Sequence, residues 1–146
     1  MAKFVYRMQN ILDIKYKLEA SAKSDYALAM AKLNEEEEKL AALYLRKQQY
    51  EIESKKLLED TLDIKELNAN KKAIDTMKSL IRTQAMQVHL AQKNVEAERE
   101  KLNEIMVDRK THEKLKEHKF EEFKRELAVE ENKEIDQLVS YKFNNE

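Results

Sequence analysis

Residues 64–105 have the sequence IKELNANKKAIDTMKSLIRTQAMQVHLAQKNVEAEREKLNEI, and this stretch decides the fold. Positions that alternate three and four residues apart form one unbroken seam along it: Leu67, Asn70, Ile74, Met77, Ile81, Gln84, Val88, Ala91, Val95, Glu98, Leu102 and Ile105. This spacing is typical of a helix that packs along its length on another helix. The chain has no Gly and no Pro, the residues that usually end helices. We therefore expect one helix from residue 64 to about residue 141.

The preceding residues carry another seam, which predicts a partner helix over residues 4–58. Its apolar members are Phe4, Met8, Ile11, Leu18, Ala22, Tyr26, Ala29, Leu33, Leu40, Leu43, Tyr50 and Leu57, and its polar turns hold Lys15, Glu36, Lys47 and Ser54. Two consecutive steps of four, from Leu18 to Ala22 to Tyr26, shift the local period toward eleven residues. They predict a slackened supercoil at this point.

A chain reversal is predicted at residues 59–63, where helix propensity weakens. Asp63, followed three residues later by Glu66, has the form of a helix N-cap with its capping partner. If the chain reverses there, residues whose numbers sum to about 124 face each other, and large side chains then face small ones at several levels. We predict an all-α fold in which residues 1–146 form a single coiled-coil domain, a long antiparallel two-helix hairpin. A continuous helix that dimerises along its whole length is the alternative.

The second helix is expected to outlast the first. The same register sets Phe4 opposite Phe120, so the second helix should continue unpaired from about residue 121. It still carries an apolar stripe there: Phe123, Leu127, Ile135, Leu138 and Val139, followed by Tyr141 and Phe143. An unpaired helix with an apolar stripe predicts a surface that binds another molecule.

Composition excludes several classes of function. Charged residues make up 39% of the chain, yet the formal net charge is −1 and the balance holds locally, so no basic stripe exists for nucleic acid or for insertion at a lipid surface. No apolar run approaches about 18 residues, so we expect neither a signal peptide nor a membrane span. The three His residues lack i,i+4 pairing, Cys is absent, and no Gly-rich phosphate loop is present. We therefore expect no metal, no cofactor and no enzymatic activity.

Both ends of the chain carry recognisable motifs. Residues 4–15, FVYRMQNILDIK, match an opening of the form F-x-Y-R-L-Q-x-L-L-D-L-R. Residues 108–117, DRKTHEKLKE, and residues 134–138, EIDQL, match later segments R-K-x-x-E-K-L-K-E and E-x-D-E-L, with Gln137 in place of an acidic residue. In this order and spacing the chain resembles, over essentially its whole length, the FliJ family of flagellar protein-export components.

The resemblance implies an antiparallel coiled coil similar to the central stalk of rotary ATPases. It implies a non-enzymatic stalk that binds and stimulates the hexameric flagellar export ATPase, links it to the membrane export gate protein and escorts export chaperones. Its implied location is the cytoplasm, peripheral at the cytoplasmic face of the cell membrane at the flagellar base. The implied contacts with the ATPase ring are Phe4, Arg7, Arg109, Lys110, Glu113, Leu115, Phe123, Asp136 and Leu138. The implied contacts with the gate, on an exposed face at the start of the second helix, are Ala73, Met77, Leu80 and Gln84.

Other interpretations stay open at this point. A coiled-coil stalk of a virulence-type secretion system would show the same pattern, as would a generic structural coiled-coil scaffold. Without the motif match, Arg109, Lys110 and Glu113 would be a solvated helix face, and Met77 is better explained as core than as a contact.

Overall fold

The structure, a computed structural model, describes residues 2–59 and 63–144. This part of the chain contains two α-helices and no strand: α1 (Gln9–Glu59) and α2 (Ile64–Asn144). The helices pack against each other as a helical hairpin, which confirms the predicted all-α fold. By internal packing the chain divides into a terminal unit, Met1–Ser21 with Asn103–Glu146, and a central unit, Ala22–Leu102.

The first helix begins later than the seam predicts. Residues 2–6 are not helical, a turn follows at residues 7–8, and α1 starts at Gln9 rather than near Phe4. The Phe4 ring instead packs against Phe120 of α2, with ring centroids 5.1 Å apart in an edge-to-face arrangement. The predicted pairing of Phe4 with Phe120 is thus present, although Phe4 itself lies outside the helix.

The second helix begins at the predicted cap. The backbone N–H of Lys65 donates to the Asp63 carboxylate at 3.1 Å, and the N–H of Leu67 donates to the Asp63 carbonyl at 3.0 Å. A side-chain oxygen that accepts from an otherwise unpaired amide is what an N-cap supplies. Residues 60–62 of the predicted turn lie outside the described residues.

The α2 seam is confirmed within the central unit. Every predicted member from Leu67 to Leu102 is buried or half-buried, and its buried aliphatic residues are Met77, Ile81, Val88, Ala91 and Val95. The buried hydrophobic residues that α1 contributes in the central unit are small, Ala22 and Ala29, whereas most of those of α2 are larger.

Two polar layers interrupt the apolar core of the central unit. The Asn70 amide donates to the Tyr50 carbonyl at 2.7 Å and also to the Ser54 hydroxyl. The Gln84 amide donates to the Glu36 carbonyl at 2.9 Å and to the Glu36 carboxylate, which Lys32 also contacts at 3.0 Å. Because each buried polar side chain finds partners across the helix pair, the layers specify one register at little cost in unsatisfied groups.

The α1 seam has a different phase from the predicted one before Ala22. Leu12 is 2% exposed and Glu19 is 6% exposed, whereas Leu18 is 46% exposed and Met8 and Ile11 are also exposed. From Leu12 the buried or half-buried positions of α1 run through Lys15 and Glu19 to Ala22, and they continue at intervals of three or four residues. The predicted seam positions Met8, Ile11 and Leu18 are therefore wrong, and the two consecutive steps of four from which a slackened supercoil was predicted are not present in the buried seam.

Candidate interaction surfaces

The N-terminal segment, residues 2–8, lies along α2 in the terminal unit. Phe4 contacts Phe123 as well as Phe120, with ring centroids 5.5 Å apart for the Phe123 pair. An open groove of about 650 Å³ runs beside the segment and is lined by Lys3, Phe4, Val5, Tyr6, Arg7, Met8, Leu115, Lys119, Glu122, Phe123 and Glu126. Its floor is aromatic and its edges carry both signs of charge. The groove can hold an apolar side chain of a partner more readily than a single charged group.

A polar cluster consisting of Tyr16, Glu19, Arg109 and Glu113 lies in the helix interface of the terminal unit. The Arg109 guanidinium donates two hydrogen bonds to the Glu19 carboxylate, at 2.6 and 3.0 Å, and a third to Glu113 at 3.0 Å. The two bonds to Glu19 form a bidentate pair, the geometry in which arginine binds a carboxylate most specifically. Glu19 can occupy a seam position because Arg109 meets it from α2.

The same cluster shifts the pKa values of its members. The hydrogen bond from the Tyr16 hydroxyl lowers the pKa of Glu113 and raises that of Tyr16, and the adjacent Arg109 also lowers the Glu113 value. The hydrogen bond to Glu19 raises the pKa of Arg109, so this guanidinium stays charged. These groups contact one another across the two helices and do not form a nucleophile paired with a base.

A neighbouring ion pair adds to the same interface. Lys15 Nζ lies 2.7 Å from Asp108, and this contact lowers the pKa of the Asp108 carboxyl. Asp108 is also 3.6 Å from His112 on the next turn of α2. The terminal unit is therefore held by charged contacts near Leu12 as well as by apolar packing.

The end of α2 extends past these contacts. Leu127 is the last half-buried residue, and every described residue from 128 to 144 is exposed. This C-terminal extension, residues 128–144, carries exposed apolar side chains at Val129, Ile135, Leu138, Val139, Tyr141 and Phe143. The unpaired end predicted from about residue 121 begins instead after Leu127, because the N-terminal segment covers Phe120 and Phe123.

Neither described helix has a stretch that is long and apolar enough to cross a membrane. Within residues 2–59 and 63–144, no group of three or more acidic or His side chains is arranged to hold a metal ion.

Comparison with known proteins identifies the family. A family model described as "Flagellar FliJ protein" matches residues 4–146, essentially the whole chain. The chain belongs to the FliJ family. No curated protein and no solved structure matches it. Membership in the FliJ family implies a component of the flagellar protein-export apparatus, from a family that is structural and regulatory.

The structure divides the residues that FliJ resemblance assigns to the ATPase ring. Arg7, Lys110, Leu115, Asp136 and Leu138 are exposed. Four others make contacts inside the chain: Phe4 and Phe123 with each other, and Arg109 and Glu113 within the polar cluster. The terminal unit thus contains all nine residues, but only the first five are exposed, and Leu115 among them is 42% exposed.

The residues assigned to the export gate do not share one exposed face. Met77 is 7% exposed in the helix interface, and Gln84 is bonded to Glu36 there. Leu80 is 44% exposed and Ala73 is half-buried. The expectation of an exposed surface is therefore wrong for Met77 and Gln84, because both are members of the α2 seam, and holds for Leu80.

Sequence reasoning missed three residues that organise the terminal unit. Leu12 and Glu19 form the seam, and Tyr16 bonds Glu113 across it. The register of the predicted hairpin could have indicated the Glu19–Arg109 pair. A reversal near residue 62 sets Glu19 within about one helical turn of Arg109, so the two opposite charges can meet.

Proposed function

We propose that this FliJ-family chain is a non-enzymatic stalk that binds the hexameric flagellar export ATPase and stimulates its turnover. The terminal unit makes this contact, and the central unit contacts the membrane export gate protein. The chain works at the cytoplasmic face of the membrane at the flagellar base, where it also receives export chaperones.

One observation carries the proposal: an apolar stripe on the C-terminal extension stays in water. Leu138 is 65% exposed, and Ile135 and Val139 beside it are also exposed. Burial of one such aliphatic side chain against a partner contributes about 1.5–3 kcal/mol to the free energy of binding. This gain favours binding of the extension to another protein. A helix whose apolar face is unpartnered suits insertion into a groove of another protein.

Exposed charges in the terminal unit support a steering role. Arg7 and Lys110 are exposed, and so is Asp136, which lies on the extension two residues before Leu138. Such charges orient a partner and raise its rate of association more than they add affinity. Arg109 and Glu113 act indirectly in this proposal, since they hold α1 and α2 in the arrangement that presents the exposed residues.

For the central unit, Leu80 is the residue that we propose for the gate contact. It is a large apolar side chain on the outer face of α2, and Ala73 lies two turns before it on the same helix. Met77 and Gln84 support this surface from inside the helix pair.

The test is ATP turnover by the cognate export ATPase with added full-length chain. Deletion of residues 129–146 leaves the Phe4–Phe120 and Phe4–Phe123 contacts in place, so helicity by circular dichroism should stay high while stimulation is lost. Leu80→Asp is the matched control, because it changes an exposed apolar residue of the central unit and should leave stimulation intact. Full stimulation by the deletion variant would show that the extension is not the ATPase-binding element.

A further inference from the structure

The C-terminal extension contains four side chains with a self-complementary order. Glu131, Ile135, Leu138 and Lys142 are spaced four, three and four residues apart, so they lie on one face of α2. All four are exposed. Within the described residues, neither Glu131 nor Lys142 takes part in an ion pair or a side-chain hydrogen bond. The face therefore consists of an acid, two aliphatic residues and a base, and among residues 2–59 and 63–144 the two charged members have no ion-pair or hydrogen-bond partner.

Antiparallel pairing of two such faces satisfies every member. When Ile135 of one copy faces Leu138 of the partner subunit, the two-fold axis runs between these layers, and Leu138 faces the partner's Ile135. Glu131 then lies opposite the partner's Lys142, and Lys142 lies opposite the partner's Glu131. A parallel pair would instead set each charge against its own copy, which is unfavourable.

We propose that the extension binds a second copy of this chain as a short antiparallel coiled coil through Glu131, Ile135, Leu138 and Lys142. The two aliphatic layers form its centre, and the two symmetric ion pairs close its ends and select the antiparallel orientation.

The rest of the terminal unit leaves room for this pairing. In the same register Asn144 lies opposite the partner's Val129, so the described residues that pair all lie within the exposed extension, residues 128–144. The N-terminal segment and its contacts with Phe120 and Phe123 lie before the extension. Each copy therefore reaches only the part of the other that is exposed in the structure.

The dimer is expected to be weak and reversible. Two short helical segments bury much less than the roughly 1,200 Å² at the lower end of stable interfaces. We expect a dissociation constant in the micromolar range or above. Because the ion pairs at its ends are exposed, salt should weaken it further.

Self-association would also regulate the site described above. The dimer covers Leu138 and Ile135, which the proposed function assigns to the ATPase, so dimer formation would withhold the extension from the ring. This consequence rests on the proposed function, whereas the self-association does not, and the experiment below contains no ATPase.

Sedimentation equilibrium of the full chain at low salt, over a range of concentrations, tests the pairing. The unaltered chain should show a monomer–dimer equilibrium. Lys142→Glu and Glu131→Lys should each weaken it by about tenfold, because each variant sets like charges opposite each other at both ends. The double variant Glu131→Lys/Lys142→Glu should recover the original dissociation constant, and an equimolar mixture of the two single variants should form a heterodimer.

Lys133→Glu is the matched control, since it makes the same change in net charge on the opposite face of the extension and should leave the dimer unchanged. Circular dichroism checks that each variant keeps its helicity. A chain that stays monomeric up to millimolar concentration, reserving the face for a different protein, would overturn the proposal. So would a dimer that Lys133→Glu weakens as much as Lys142→Glu does, or a double variant that fails to recover pairing.

Discussion

Replacement of Leu12 by alanine should destabilise the terminal unit more than any comparable change in the first turns of α1. Leu12 is 2% exposed and is the largest fully buried side chain among the described residues. Its truncation removes the transfer free energy of the deleted carbons and leaves a cavity that a two-helix interface can only partly close. Leucine-to-alanine changes at such sites lower the free energy of unfolding by about 2–4 kcal/mol.

Leu18→Ala is the control, because the same deletion occurs six residues later on the same helix. Leu18 is 46% exposed, so roughly half of its surface already lies in water in the folded state. We expect the control to lower the free energy of unfolding by about 1 kcal/mol or less.

Urea titration followed by circular dichroism gives both free energies of unfolding. Hydrogen exchange of the α1 amides shows which part of the helix loses stability, because parts of one protein can open with different free energies. The slope of the unfolding free energy against urea should be the same for both variants. If Leu18→Ala costs as much as Leu12→Ala, the seam runs through Leu18, as the sequence predicted, and the phase described here is wrong.

Two further predictions concern the charged contacts of the terminal unit. Glu19→Arg and Arg109→Glu should each lower the urea midpoint, because each variant sets like charges together in the helix interface. The double variant restores opposite charges and should recover part of the lost stability. If the double variant is no more stable than the worse single variant, the bidentate pair does not hold the helices together. The pKa values of Glu113 and Asp108 are lowered from ordinary values of 4.5 and 3.8, so their contribution to stability is present above those values and is lost as pH falls through the lower folded ones. The urea midpoint should therefore be constant from pH 7 to about pH 5.5 and should decrease at pH values below about 4.5. The decrease should be smaller for Glu113→Gln. An equal decrease in that variant would assign the effect to other carboxylates.

The α2 seam could be predicted from sequence because its period never breaks. From Leu67 to Leu102 every step is three or four residues, and even its polar members, Asn70 and Gln84, fall on the interface. A regular period fixes which face is buried without knowledge of the partner. The hairpin was predicted from the cap at Asp63 together with the two seams, which pair large side chains with small ones when the chain reverses near residue 62.

The phase of α1 could not be predicted in the same way. Leu18 and Glu19 are adjacent, and an apolar residue is the natural choice for an interface when its surroundings are unknown. Arg109 makes Glu19 favourable there, and it meets Glu19 from a position ninety residues further along the chain. Burial of a charge is decided by its partner, which local sequence does not contain.

The sequence did not predict which of the proposed interaction residues are exposed. The motif match led to Arg109 and Glu113 as contacts for a partner, whereas both are bonded inside the terminal unit. The exposed apolar extension was foreseen from the unequal lengths of the two helices. Its start after Leu127 was not foreseen, because the non-helical N-terminal segment also packs on α2 and contacts Phe123.

The two polar layers of the central unit have a mechanical consequence. Sliding α1 against α2 by one heptad would carry Gln84 away from Glu36 and set its amide against Ala29 or Leu43, while Asn70 would lose Ser54 in the same movement. Both penalties arise together, so the helix pair resists axial slip at two points at once. A force or torque applied at one end of the central unit is therefore transmitted to its other end and is not lost through sliding of α1 against α2.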